Sequence, residues 1–172
     1  MGSEKLTVGK ALKFARHDFL NDLQLMLLNL DLGNSSEAKK TLMDTTERMR
    51  QLSMLEKLRL PETEVWLTTF EWRHTAFSKV LQSNITAAER SIDDAALTDY
   101  LERLIKSVET VVDPWNEYNV HITVNASEMN WSIQLKIDGP LKGVPLIPMA
   151  ANGIEVTEEI QDEQCMFTIS GQ

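Results

Sequence analysis

The run Arg16-His17-Asp18-Phe19-Leu20-Asn21-Asp22-Leu23-Gln24-Leu25 decides how this chain is read. It sits inside Lys10 to Leu32, a Leu-rich segment with no Gly or Pro, which predicts one long helix. At about 100° per residue, Leu12, Phe19, Leu23, Met26 and Leu30 share one sector, the pattern of a helix that buries a stripe. His17 falls nearly opposite, with Asn21 beside it one turn later and Gln24, Leu25 and Leu28 near the same side. The histidine therefore faces solvent, with polar neighbours at one turn and exposed leucines at two to three turns.

Outward from that helix, Gly33 predicts its C-terminal cap, because glycine accepts the left-handed conformation that ends helices. Asn34 and Ser35 are N-cap candidates, and Glu37 stands three residues after Asn34 as in a capping box. A second helix is predicted from about Glu37 to Leu58, carrying Leu42, Met49, Leu52 and Leu55, with Pro61 ending it. The short connection makes the two helices an antiparallel hairpin. Two helices cannot cover their own apolar stripe. A second copy completing a four-helix bundle is the expected solution, and cover by the rest of the chain is the alternative.

Beyond residue 60 the pattern changes, which divides the chain into a helical hairpin, 1–60, and a second domain, 61–172. Trp66, Phe70 and Trp72 mark a short amphipathic element, and Phe77, Lys79, Val80, Leu81 and Gln82 a strand. Asp93 or Asp94 begins a helix that reaches about Val112 and carries Leu97, Leu101, Leu104, Ile105 and Val108 on one face. Val120, Ile122 and Val124 alternate with polar residues. Trp131, Ile133, Leu135 and Ile137 do the same, and so do Phe167 and Ile169. Gly139 to Gly153 reads as loop. The class is α+β, with a largely antiparallel sheet in the second domain.

Composition excludes several functions. The 26 Asp and Glu against 17 Lys and Arg argue against binding nucleic acid or an anionic membrane. Cys165 is a lone cysteine among apolar neighbours, expected as a buried small hydrophobe and not a nucleophile. No apolar run approaches the roughly 20 residues of a membrane span, and no leader segment is visible, so a soluble cytoplasmic protein is expected.

An exposed neutral imidazole is a competent nucleophile near neutral pH. Attack on an acyl phosphate yields phosphohistidine, provided the nitrogen protrudes far enough for in-line approach by another protein. Leu25 and Leu28 offer an apolar docking surface on the same face, and Arg16 is near enough in sequence to help neutralise phosphoryl charge. An ordinary surface histidine in a Leu-rich helix is the plainer alternative. His74 and His121 lack comparable surroundings and are expected to be structural.

Arg16-His17-Asp18, with Asn21 four residues after the histidine and Leu23-Gln24-Leu25 following, resembles the phosphorylated helix of the sporulation initiation phosphotransferase B family, related to sensor histidine kinases. The order of the later elements, through Phe70-Glu71-Trp72-Arg73 and the strands at His121 and Trp131, is similar to that family's second domain. The resemblance implies a dimeric bundle joined to a degenerate histidine-kinase-like ATPase domain. It implies that His17 accepts a phosphoryl group from a response-regulator aspartate and passes it to the aspartate of a second regulator in a sporulation phosphorelay. Asn21 would orient the imidazole or touch the docked regulator, Asp18 would hold Arg16 or a regulator group, and Gln24, Leu25 and Leu28 would bind the partner. No cofactor is implied for this chain; Mg2+ would sit in the regulators.

The helix from Tyr100 to Val112 contains no Asn where a working kinase holds magnesium. Asp138-Gly139 is similar to an Asp-x-Gly-x-Gly adenine-site motif, but Pro140 and Leu141 follow in place of a glycine loop. ATP-dependent kinase activity is therefore not expected. A fragment of an ATP-dependent sensor kinase and a non-catalytic dimerisation scaffold remain the rival readings.

Overall fold

A computed structural model of the chain describes residues 6–87, 92–151, 153–161 and 163–171. They divide into two compact units, Met1–Arg50 and Gln51–Gln172. The division falls ten residues earlier than the change of pattern at residue 60, because the end of the second helix joins the second core.

The first unit is the hairpin. Helix α1 spans Val8–Asp31, with Thr7 as N-cap accepting from the Lys10 amide at 3.3 Å. Its end is a Schellman turn. Gly33 has φ +76°, its N–H donates to Leu30 O at 3.0 Å, and the Asn34 N–H donates to Asn29 O at 2.8 Å. Helix α2 spans Ser35–Met54 and opens with the Glu37 and Ala38 amides on the Asn34 carbonyl. Between the helices the Arg48 guanidinium pairs with the Asp22 carboxylate, and Ala38 and Thr45 are buried. No residue of α1 is buried.

Pro61 does not end α2, as the pattern predicts. A 3-10 turn over Leu55–Leu58 and a left-handed Arg59 (φ 52°) end it. Pro61 instead opens α3 (Pro61–Thr68), where a missing N–H is harmless. A four-residue turn of helix, α4, follows at Phe70–Arg73.

The second unit is a five-stranded mixed sheet in the order β1-β2-β3-β5-β4. Its strands are β1 Phe77–Ile85, β2 Tyr118–Ala126, β3 Trp131–Asp138, β4 Glu155–Gln161 and β5 Gln164–Gly171. β1 pairs parallel to β2, as the crossover through α5 (Asp94–Glu109) allows, and the other pairings are antiparallel. Inward residues of β2, β3 and β5 meet Leu97, Tyr100, Leu101, Leu104, Ile105 and Val108 of α5 in one core that also takes in Leu55, Leu58, Trp66 and Phe70. Apart from Met166 on β5, the opposite residues on these strands are polar, as the period-two pattern predicts.

Both α5 candidate caps are used, on different helices. Asp93 accepts from the Ala96 amide of its own helix. Asp94 accepts from the Glu62 and Thr63 amides at 2.7 and 3.0 Å, so it caps α3 across the fold. β4 is the strand that period-two reading misses. Its Glu155, Glu158 and Glu159 leave only Val156 and Ile160 as apolar signal, and such charges suit an edge strand that must not recruit another chain. The β1 edge is blunted differently: the Ser83 and Lys79 amides donate to the side chains of Gln51 and Glu71.

Candidate phosphotransfer site on the first helix

Helix α1 carries His17 in a stretch without a helix breaker, so the ring is held by regular backbone and not by a loop. Its side chain is 69% exposed. Asn21, one turn on, places Nδ2 3.2 Å from His17 Nδ1. Asp18 places Oδ1 3.5 Å from the same nitrogen. Both hydrogen bonds thus gather at Nδ1, and among the described residues Nε2 has none.

This asymmetry has chemical content. A carboxylate only accepts, so a hydrogen bond with Asp18 requires the proton on Nδ1 and leaves the lone pair on Nε2. The Asn21 amide, rotated by 180°, offers its carbonyl oxygen to the same Nδ1–H without a change of shape. The sequence pattern puts Asp18 toward the flank, with Arg16 or a regulator group as its expected partner; in the structure its carboxylate lies 3.5 Å from the imidazole. Arg16 is exposed, one residue before His17. Gln24, Leu25 and Leu28 are exposed on the same helix, with Leu25 at 48% and Leu28 at 55%. Leu20 and Leu27 are equally exposed and stand within about 80° of His17 on the wheel. They belong to the same apolar surface, and their spacing from His17 was the signal that could have included them.

The remaining singled-out side chains lie in the second unit. His74 is buried between Glu102 and Glu109. His121 is half-exposed on β2, 3.4 Å from Asp138. Cys165 is buried, and burial, with Asp138 nearby, pushes its thiol up to about 11, which suits a core residue and not a nucleophile. Among the described residues no cluster of His, Cys, Asp and Glu could hold a metal ion, and no helix is long and apolar enough to cross a membrane.

The outer face of α5 is covered by the segment that follows β3. Ser107 Oγ donates to Leu146 O at 2.6 Å, and Arg103 Nη1 reaches Met149 O at 3.4 Å. The Lys142 N–H donates to Val111 O at 2.7 Å, while its ammonium pairs with Asp113 at 3.3 Å. Gly139 makes the turn into this segment with φ +137°; a Cβ there would lie 2.5 Å from the Tyr118 ring.

Residues 3–58 match the family model described as the alpha-helical domain of the SpoOB-type sensor kinases. Comparison with curated proteins finds no match. Among solved structures, the histidine kinase AdeS of Acinetobacter baumannii is similar at 15% identity and TM-score 0.45, over 91% of this chain and 97% of that one. The catalytic domain of histidine kinase ThkA is similar at 12% identity and TM-score 0.48, over 67% of this chain and 91% of that one. A structure of ThkA in complex with response regulator protein TrrA gives 11% identity and TM-score 0.46, over 95% of this chain but 61% of that one. Likeness at such identity says nothing about activity. The family match thus covers the helical hairpin that carries His17, which is similar to the alpha-helical domain of the SpoOB-type sensor kinases, and ends at residue 58, before the sheet of the second unit.

Proposed function

We propose that the chain is a phosphorelay histidine phosphotransferase that works in the cytoplasm. His17 takes a phosphoryl group from the aspartyl phosphate of one response-regulator receiver domain and gives it to the aspartate of a second, in the initiation of sporulation. One observation carries this reading: an exposed imidazole on a rigid helix, with both of its hydrogen bonds at Nδ1. In the accepting step the Nε2 lone pair attacks phosphorus, the Nε2–P bond forms and the acyl P–O bond breaks, leaving a carboxylate on the regulator. The proton stays on Nδ1, where the Asp18 carboxylate balances the charge that the ring gains. The donating step is the reverse toward a new carboxylate. Mg2+ held by the regulators would stabilise the transferring group. The test is to mix the chain with a phosphorylated receiver domain and look for acid-labile, alkali-stable phosphate on His17. A scaffold protein would acquire none.

Docking falls to Leu25, Leu28 and Gln24 on the same face. Leu28 lies 11 residues from His17, roughly 17 Å along the helix. Leu28→Ala is expected to weaken receiver binding by about 1–3 kcal/mol. Transfer should slow at low receiver concentration and recover at saturation, since lost uniform binding raises KM and spares the chemical step. Binding by Leu28→Ala as tight as by the parent would move the partner surface to another face.

The second unit, in this reading, does not use ATP. On the resemblance, ATP use would need an Asn on α5 to hold magnesium and a glycine loop after Asp138-Gly139, and the sequence has neither. The outer face of α5 carries Ser107 and Arg103, and backbone carbonyls of the chain's own segment accept from both. Calorimetry with ATP and magnesium is expected to give no binding heat at millimolar nucleotide. Micromolar affinity would support the sensor-kinase fragment instead.

The hairpin is proposed to dimerise into a four-helix bundle. Leu12, Phe19, Leu23 and Leu30, the stripe on which α1 would pack, are 44–60% exposed in the single chain. A face of that size needs a partner in water.

A further inference from the structure

His74 closes α4 and faces α5 from a site only 2% exposed. Its Nδ1 lies 2.9 Å from Glu109 Oε1 and its Nε2 3.2 Å from Glu102 Oε2. Two carboxylates, each able only to accept, address the two ring nitrogens from positions about two turns apart on one helix. A neutral imidazole has one N–H and would set a lone pair against one of these carboxylates; an imidazolium has two and satisfies both. We propose that His74 is a doubly protonated brace that ties the α3–α4 segment to α5, and that loss of its second proton as pH rises releases one carboxylate and loosens this end of the fold. This inference stands apart from the phosphotransfer reading.

The surroundings support it from every side. From α3, Trp66 donates its Nε1–H to the same Glu102 Oε2 at 2.9 Å and sets its ring 6.1 Å from the imidazole. From α4, Phe70 packs 5.0 Å away and Arg73 approaches Glu102 at 4.0 Å. From α5, Lys106 pairs with Glu102 Oε1 at 3.0 Å. Glu109 is the acid whose charge is answered here by His74. Burial works against the charged ring, but the hydrogen bonds and charges of Glu102 and Glu109 outweigh it, so His74 holds its proton above the ordinary imidazole range. Glu102 is held well below the usual carboxylate range, first by the His74 hydrogen bond. It stays ionised throughout the pH window in question.

The sign follows from linkage. A group whose folded-state pKa is raised contributes stability that is full below its unfolded value, about 6.5, and is lost as pH rises through the folded value. The intact chain should therefore melt at a lower temperature above the ordinary imidazole range than at about pH 6.5 through this group. His74→Gln, which keeps one amide donor and cannot titrate, should lack that component. Nitrogen NMR of the intact protein, with the signals assigned through His74→Gln, should show both His74 nitrogens protonated at pH 7. Glu109→Gln should lower the pH at which the second proton leaves. A neutral His74 at pH 7, a proton loss unmoved by Glu109→Gln, or an alkaline melting loss that persists in His74→Gln would each overturn the proposal. If His74→Gln does not fold, the titration of the intact chain and of Glu109→Gln decides alone.

Discussion

His17→Ala is expected to abolish phosphoryl acceptance from a phosphorylated receiver domain, a loss of at least roughly 10³-fold. The substitution removes the atom proposed to attack, and alanine is the best helix former, so α1 should persist. His17 contributes no packing: it is 69% exposed, and its two partners, Asp18 and Asn21, are exposed as well and can turn to water. Circular dichroism, sedimentation and receiver binding should therefore match the parent while radiolabelled phosphate fails to appear on the chain. Normal transfer by His17→Ala would show that the nucleophile lies elsewhere and return His17 to an ordinary surface residue.

Leu23→Asp should break the dimer. Leu23 is 44% exposed in the single chain and stands in the stripe with Leu12, Phe19 and Leu30, which only a second hairpin is proposed to cover. In a bundle the new carboxylate enters the interface twice, once from each copy. An unpaired buried polar group costs on the order of several kcal/mol, so the dissociation constant should rise by about 100-fold or more. Sedimentation at micromolar concentration should give a dimer for the parent and a monomer for the variant. The second unit has its own core, formed by residues from Leu55 onward, and should remain folded. A parent that sediments as a clean monomer, or a variant that still dimerises, would remove the bundle from the proposed function.

The two predictions rest on parts of the chain that differ in how well the sequence exposes them. The α1 signals are local. A residue's place on the wheel depends only on its number, so His17 opposite the Leu12–Leu30 stripe, Asn21 beside it and the Gly33 cap are all legible before any fold is known. The strands at Val120, Trp131 and Phe167 are legible for the same reason, since one face is buried and the other wet. β4 is harder to see. An edge strand dressed with Glu155, Glu158 and Glu159 loses its alternation to the charges that protect its edge.

Local pattern thus determined, by itself, the long breaker-free helix with His17 on its wet face, the hairpin turn at Gly33 and the α+β class. Tertiary structure alone decided which partners the polar groups found. Asp94 capped α3 from 31 residues away, and Pro61 opened that helix where pattern made it only a stop. His74 came to lie between Glu102 and Glu109, and the segment after Gly139 settled on Ser107 and Arg103. The physical reason is the range of the interactions: hydrophobic period and backbone preference act over one or two turns of chain, whereas a hydrogen bond between residues tens of positions apart exists only after the core has brought their backbones together.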